Sequence, residues 1–376
     1  MDGFWTYTFG LCAGIVLYVY LGYPLLLSLF ARLRPKPVDR AEITPPVSLI
    51  VAAHNEEKVI GQKIENSLAL DYPNLEIIVA SDCSTDRTDE IVASYKDRGV
   101  RLYRQEERRG KTAACNGAAR MAKGEVLVFT DATAMLRKDC LRTIVRNFND
   151  PKVGCVCPRL VYKNTSESPV TENEGFYWRY ETWLRRKESL LGSLAFVSGA
   201  CFAVRRELHR PVEPEYDYDC ICPLDVLAQG YRVVYEPEAV FYDTLVSTAK
   251  DDLRARIRMI VKDFAGTLSR GRLLDPFRNF LIAWTIYSHK LLRWLVPFFL
   301  VAMIASNVFL LKSHIFKIFL FSQIAFYLWA LIPVRLKAKN GLFHVPFHFC
   351  LMNLAAFIGV CKAATGHKVP VWQPVR

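Results

Sequence analysis

Between Gly3 and Ala31 the chain has no aspartate, glutamate, lysine or arginine. Charge is missing again from Leu295 to Leu311, from Ile318 to Val334 and from Asn340 to Cys361. At ~1.5 Å per helical residue, the first of these runs can cross a ~30 Å hydrocarbon core. No basic residue precedes it and it exceeds the apolar core of a secretory signal, so it is expected to stay uncleaved. Other absences exclude function classes. Arg109-Gly110-Lys111 lacks the first glycine of a phosphate-binding G-x-x-x-x-G-K-[ST] loop. No G-x-G-x-x-G follows the first predicted strand, which argues against a dehydrogenase. Cys155-Val-Cys157 and Cys220-Ile-Cys222 lack the two-residue spacer of zinc sites. The 11 cysteines fall mostly between the charge-free ends and read as small buried thiols, not as a disulfide framework. Internal repeats and low-complexity tracts are absent, and 52% hydrophobic residues exclude a disordered chain.

What is present in excess is positive charge. Lys plus Arg is 49 and Asp plus Glu is 37, a net charge of +12 over 376 residues. No nucleic-acid recognition motif accompanies it, so a nucleic-acid partner is not expected. The basic residues orient the chain instead. Arg32, Arg34, Lys36 and Arg40 follow the first apolar run. The positive-inside rule then places the N-terminus outside and the following domain in the cytoplasm, against membrane lipids. Arg335, Lys337 and Lys339 form a second inside loop. Pro346, His348 and Asn353 interrupt the last apolar run, which is therefore expected along the interface, after three crossings. The expected organisation is a transmembrane helix over 1–33, a soluble domain over 45–274, interfacial and transmembrane helices over 275–364, and a tail over 365–376.

Within the soluble domain, strands and helices alternate. Val47–Ala53, Glu76–Ala80, Val100–Tyr103 and Val126–Thr130 read as short strands. Asn55–Leu70, a stretch starting at Ser84, Gly110–Ala122 and Leu136–Asn147 read as helices. The order predicts an α/β fold with a mainly parallel sheet covered on both faces. Ligands of such sheets bind beyond the carboxyl ends of the strands. There the chain has Ala53-His54-Asn55-Glu56, then Asp82 to Asp86, then Asp131-Ala132-Thr133. A carboxylate just past a strand can bind a base or ribose, or a metal that holds phosphate. Helix capping is the competing role for Asp82 and Asp86, and fits Asp131 less well. These acids point to nucleotide binding without specifying a reaction.

Residues 47–56, 79–89, 108–118 and 126–134 together resemble the nucleotide-sugar half of family 2 glycosyltransferases with the GT-A fold. The membrane-integrated relatives of cellulose, hyaluronan and chitin synthases belong to that family. The resemblance implies that the first loop, with Ala53, Asn55 and Glu56, holds the uridine of a UDP-sugar. It implies that Asp82 meets the uracil ring, and that Lys111 and Asn116 lie beside the nucleotide. Asp131-Ala132-Thr133 stands where the family has D-x-D, with Thr133 in place of the second acid. Asp131 is then the expected metal ligand, reaching the diphosphate through Mg2+ or Mn2+.

The second half matches the acceptor side. Trp178 and Glu181 lie on a helix that resembles an acceptor-side segment, although Tyr177, Tyr180 and Trp183 also suit a packed amphipathic helix. Ser198 and Gly199 match an acceptor-side loop, where glycine allows close backbone approach. Asp217-Tyr218-Asp219 precedes Gly230-Tyr231 at the spacing of the family's catalytic motif, with Tyr218 where glutamate is common. This puts Asp219 at the position of the base, with Asp217 and Asp225 as competitors. Arg258 matches the arginine of Q-x-x-R-W, but that motif's glutamine and tryptophan are absent. The same basic helix also suits a membrane surface. Trp372 and Arg376 resemble a C-terminal W-x-x-x-R, which assigns Trp372 to the acceptor.

The resemblance implies an inverting hexosyl- or N-acetylhexosaminyltransferase acting on a glycan or lipid-linked acceptor at the cytoplasmic face of a bacterial inner membrane. Limited transfer and processive synthesis both remain open, as do partner subunits of a polysaccharide synthesis complex. A non-catalytic subunit that binds nucleotide or glycan is the rival from another class.

Overall fold

The computed structural model describes residues 2–163, 169–244, 249–336 and 341–367. Trp372 and Arg376 therefore lie outside the described residues. The first apolar run forms one long span, Asp2–Leu33. It consists of α1 (Asp2–Leu17), a π-helical turn (Tyr18–Gly22) and α2 (Tyr23–Leu33).

The domain that follows starts with β1 (Val47–Ala53), α3 (Ile60–Leu68), β2 (Leu75–Ser81) and α4 (Thr88–Ala93). It continues with β3 (Val100–Arg104), α5 (Lys111–Met121), β4 (Val126–Asp131), β5 (Met135–Leu136) and α6 (Cys140–Val145). Next come β6 (Val153–Tyr162), α7 (Pro169–Leu191), β7 (Cys201–Arg205), α8 (Tyr218–Ala228), β8 (Arg232–Asp243) and α9 (Ala249–Ser269). Two boundaries differ from the sequence reading. Helix α3 starts at Ile60 because Asn55, Glu56 and Glu57 are taken up in bonds to the next loop, Ser84 to Thr88. Leu136 opens no helix because Met135 and Leu136 pair with Tyr242 and Phe241 of β8.

All eight strands form one sheet in the order β3-β2-β1-β4-β7-β6-β8-β5. The expected parallel half is present: β3, β2, β1 and β4 run side by side in parallel. Strand β7 is antiparallel to both β4 and β6, whereas β6 and β8 are parallel, so the whole sheet is mixed. The period of two sorts the core. Leu49, Val51, Val79 and Val128 face Ile60, Ile64 and Ile144 on one side, and Ile50, Ile78, Leu127 and Phe129 face Ala114, Ala118 and Ile221 on the other.

After the domain come α10 (Pro276–Thr285), a second π-helical turn (Ile286–Leu291), α11 (Leu292–Phe309), α12 (His314–Leu336) and α13 (Gly341–Ala364). Among the described residues four helices are long and apolar enough to cross a membrane: Asp2–Leu33, Pro276–Phe309, His314–Ile332 and Val345–Ala364. The last of these, expected along the interface, is thus long and apolar enough to span. It also lies close against α9, since a Cβ at Gly359 would stand 2.7 Å from Ile260 Cγ2. The two π turns face one another, with the Tyr18 hydroxyl 2.7 Å from Ser288 Oγ and accepting from Trp284 Nε1 at 2.7 Å.

Candidate active site

The carboxyl ends of β1 and β2 are laced together. The Asp82 amide donates to the Ala53 carbonyl at 2.9 Å. His54 Nδ1 donates to the Asp82 carbonyl at 2.8 Å, and the Asn55 amide donates to Ser84 Oγ at 3.2 Å. The Asn55 carboxamide oxygen accepts from the Thr85 amide at 2.8 Å. The Glu56 amide donates to Thr88 Oγ1 at 2.7 Å. Asn55 and Cys83 both have φ of 54°, a left-handed conformation that non-glycine residues adopt at a cost. These bonds hold the two loops against one another. Asp86 lies just ahead of α4 and accepts from the amides of Thr88 at 3.0 Å and Glu57 at 3.1 Å. Asp82 does something else. Only 2% exposed, it accepts from Gln105 Nε2 at 2.6 Å and from the amides of Arg109 at 2.9 Å and Gly110 at 2.9 and 3.0 Å. It thereby pins the loop that starts α5, where Gly110 has φ of 90°.

The pinned loop delivers Lys111 to the centre. Its ammonium donates to the Gly199 carbonyl at 2.9 Å and forms an ion pair with Asp131 at the end of β4. Burial pulls this ammonium down, but the charges of Asp131 and Asp219 outweigh it and hold Lys111 above its ordinary value. The Asp131 amide donates to the Ala200 carbonyl at 3.0 Å, so the acceptor-side loop is tied to the donor-side acid. Asp219 lies in the first turn of α8 and packs on Gly199. Burial, then the charge of Asp217, pushes its carboxyl up to about 6 although Lys111 opposes the shift. The two competitors for the base have other partners. Asp217 takes Lys262 Nζ at 3.2 Å, and Asp225 takes Arg270 Nε at 2.7 Å. On α9, Arg258 lies within the field of Asp217, Asp131 and Asp219.

Helix α5 also holds the segment that carries Asp219. Asn116 Nδ2 donates to the Val212 carbonyl at 2.7 Å, and its oxygen accepts from the Val212 amide at 3.0 Å. Thr112 Oγ1 donates to the Tyr216 carbonyl at 2.8 Å. Asn116, expected beside the nucleotide, is thus spent on backbone because its amide matches one peptide unit in both directions. Tyr218 packs 4.6 Å from the Phe129 ring, so the position where glutamate is common serves the core here.

Two residues at this site were missed in the sequence. Asp243 ends β8 and lies beside the Asp131 turn. Burial pushes its carboxyl up, Asp131 adds to the effect, and a hydrogen bond with the Thr133 side chain opposes it. Its signal was an acid closing a strand, the pattern used for Asp82 and Asp131. Lys63 lies under the same turn, donating to Thr130 Oγ1 at 3.0 Å and to the Ala134 carbonyl. A single lysine on the apolar side of α3 gave little signal. Among the described residues no three His, Cys, Asp or Glu side chains gather as a metal site. Two carboxylates and a hydroxyl at Asp131, Asp243 and Thr133 nonetheless make a hard oxygen set that suits Mg2+ or Mn2+ once a diphosphate adds its own oxygens.

The acceptor-side residues divide. Ser198 and Gly199 sit at the centre, next to Asp219 and Lys111. Glu181 does not join them. At 2% exposure it is closed into a network with His289 Nε2 at 3.1 Å, Arg293 Nη1 at 3.1 Å and Arg185 Nε at 3.3 Å. Burial pushes its carboxyl up, but His289, Arg185 and Arg293 outweigh that and hold it well below the usual range. Glu188 extends the network, accepting from Tyr23 and His289 Nδ1 at 2.6 Å each. Trp178 packs on Tyr162 and carries the Arg185 guanidinium 4.9 Å above its ring. Trp178 and Glu181 therefore follow the packed-helix alternative: Trp178 packs α7 on β6, and Glu181 joins α7 to the second π turn and α11.

Residues 48–212 match the family model described as Glycosyl transferase family 2. A beta-monoglucosyldiacylglycerol synthase of a Nostoc species is 32% identical over 193 residues, 50% of this chain and 41% of that protein. A poly-beta-1,6-N-acetyl-D-glucosamine synthase of Staphylococcus aureus is 26% identical over 256 residues, 64% of this chain and 61% of that protein. The chain thus spans 41% to 61% of the length of these relatives. Among solved structures, a mannosyltransferase of Pyrobaculum calidifontis in complex with GDP-Man and Mn2+ superposes with a TM-score of 0.72 at 25% identity. It covers 95% of this chain and 99% of its own.

Proposed function

Since the chain carries a glycosyl transferase family 2 domain on a GT-A fold, we propose that it is an inverting transferase working at the cytoplasmic face of a membrane. It moves a hexosyl or N-acetylhexosaminyl group from a UDP-sugar to a hydroxyl of a glycan or lipid-linked acceptor. The observation that carries this reading is the meeting of Lys111, Asp131 and Asp219 around Gly199. The Ala53–Glu56 and Asp82 loops form the nucleotide end of the site. Asp131 and Asp243, with the Thr133 hydroxyl, would hold a divalent cation. That cation supplies positive charge to the donor diphosphate.

The chain's own groups account for the rest of the reaction. Asp219, ionised above about pH 6, takes the proton from the acceptor hydroxyl. The freed oxygen bonds to the anomeric carbon as the bond from that carbon to the diphosphate oxygen breaks. The electron pair leaves with the nucleoside diphosphate, and attack from the opposite face inverts the centre. Lys111 and Arg258 lie where that departing charge collects. The missing glutamine and tryptophan near Arg258 favour one or a few transfers over long processive synthesis.

The test is nucleoside diphosphate release by the purified chain in detergent with Mg2+ or Mn2+. A panel of UDP- and GDP-sugars is screened, with membrane extract as acceptor source and Asp219→Asn as control. Release from one UDP-sugar that is lost in the variant supports the reading. Nucleotide binding without release from any donor would leave a binding subunit of a synthesis complex.

A further inference from the structure

Lysine is among the side chains least often fully buried. Lys63 is 0% exposed. It lies on the face of α3 that carries Ile60, Ile64 and Ser67 into the core. Its ammonium bonds to Thr130 Oγ1 and to the Ala134 carbonyl, two acceptors that stand at either end of Asp131-Ala132-Thr133. Asp131 and Asp243 both act on its charge. A methionine would fill the same space without the cost of desolvating an ammonium, so packing alone does not account for a lysine here.

We infer that Lys63 is a positioning residue for the diphosphate end of the donor site, clasping the Asp131 turn at both ends so that the turn stays set for a divalent cation. This rests on the donor-site reading above. Without the ammonium, the turn loses a hydrogen bond at each end.

The experiment measures Mn2+ binding to the purified full chain by the electron paramagnetic resonance signal of free Mn2+, with and without UDP, alongside thermal unfolding. Lys63→Met should weaken Mn2+ binding ~10–100-fold, the range seen when groups that orient metal ligands are removed. Unchanged or tighter binding, with only a lower melting temperature, overturns the inference and leaves Lys63 a structural residue. Should Lys63→Met fail to fold, Thr130→Val decides. It removes one end of the clasp and keeps the side-chain shape, so weakened Mn2+ binding supports the inference and wild-type affinity overturns it. Asp131→Asn separates the two levels. If Asp131→Asn binds Mn2+ as the wild type does, the donor-site reading falls and this inference with it. If Asp131→Asn loses Mn2+ while Lys63→Met keeps it, this inference alone falls.

Discussion

A Cβ at Gly199 would stand 2.9 Å from Oδ2 of Asp219, closer than real Cβ contacts allow. The carboxylate of Asp219, the proposed base, occupies the room that a side chain at 199 would need. Gly199→Ala must therefore move Asp219 or the loop, and a misplacement of ~1 Å can cost ~100-fold in rate. Turnover is expected to fall by about that factor while nucleotide binding, followed by calorimetry with UDP, stays near wild type.

The raised Asp219 carboxyl fixes a pH dependence. As a base it works only when ionised, so kcat/KM should fall on the acid side with an apparent pKa near 6. Asp219→Asn should abolish that limb together with ~10²–10⁴-fold of the activity. The sign for stability is opposite. A carboxyl raised in the folded state contributes stability that is full at low pH and lost as pH rises through about 6. The neutral asparagine escapes that loss, so the inactive variant should melt higher than the wild type at pH 7 to 8.

Asn116 distinguishes a nucleotide contact from a scaffold. Both of its hydrogen bonds go to Val212, so Asn116→Ala strands a buried amide and carbonyl at ~1–3 kcal/mol each. Melting temperature and kcat should fall while KM for the donor changes little. A selective rise in donor KM would return Asn116 to the nucleotide.

Asp243 is expected to matter as Asp131 does. Asp243→Asn should raise the Mn2+ concentration needed for half-maximal activity, and added Mn2+ should restore much of the rate. The replacement of Thr133 by aspartate should partly rescue the Asp243 variant by returning a carboxylate to the same turn.

Glu181 provides a stability test. Removing one partner of a buried ion pair typically costs ~3–5 kcal/mol. Glu181→Ala leaves Arg293 and His289 facing an apolar gap and should lower the melting temperature in detergent sharply. A folded variant changed only in acceptor KM would instead put Glu181 at the acceptor.

The sequence was most legible where the physics is local. A run such as Val47–Ala53 has few alternatives to a buried strand, and β1 occupies that span. Strand-end acids are equally visible, because topology brings all carboxyl ends of parallel strands together, and Asp131 lies in the resulting cluster. Legibility failed where the partner is distant in the chain. Asn116 bonds Val212, Glu181 bonds His289, and nothing near either residue announces those contacts. Lys63 was hidden for a related reason, since a lysine on a helix is ordinarily solvated and only the fold reveals it as buried. Tyr218 resembled a damaged catalytic motif in one dimension, whereas in three it is a core aromatic against Phe129.

The facing π turns set an order of assembly. Tyr23 can find Glu188 once half of the polypeptide has been made, whereas Tyr18 finds Ser288 and Trp284 only much later. During synthesis the Tyr18 hydroxyl of the leading helix stays unclaimed until the whole sheet has been made. The later helix then closes the seam by bringing His289 against Glu188. A nascent chain halted before residue 284 would hold its leading helix to α7 through Tyr23 and Glu188, with the Tyr18 end of the seam still open.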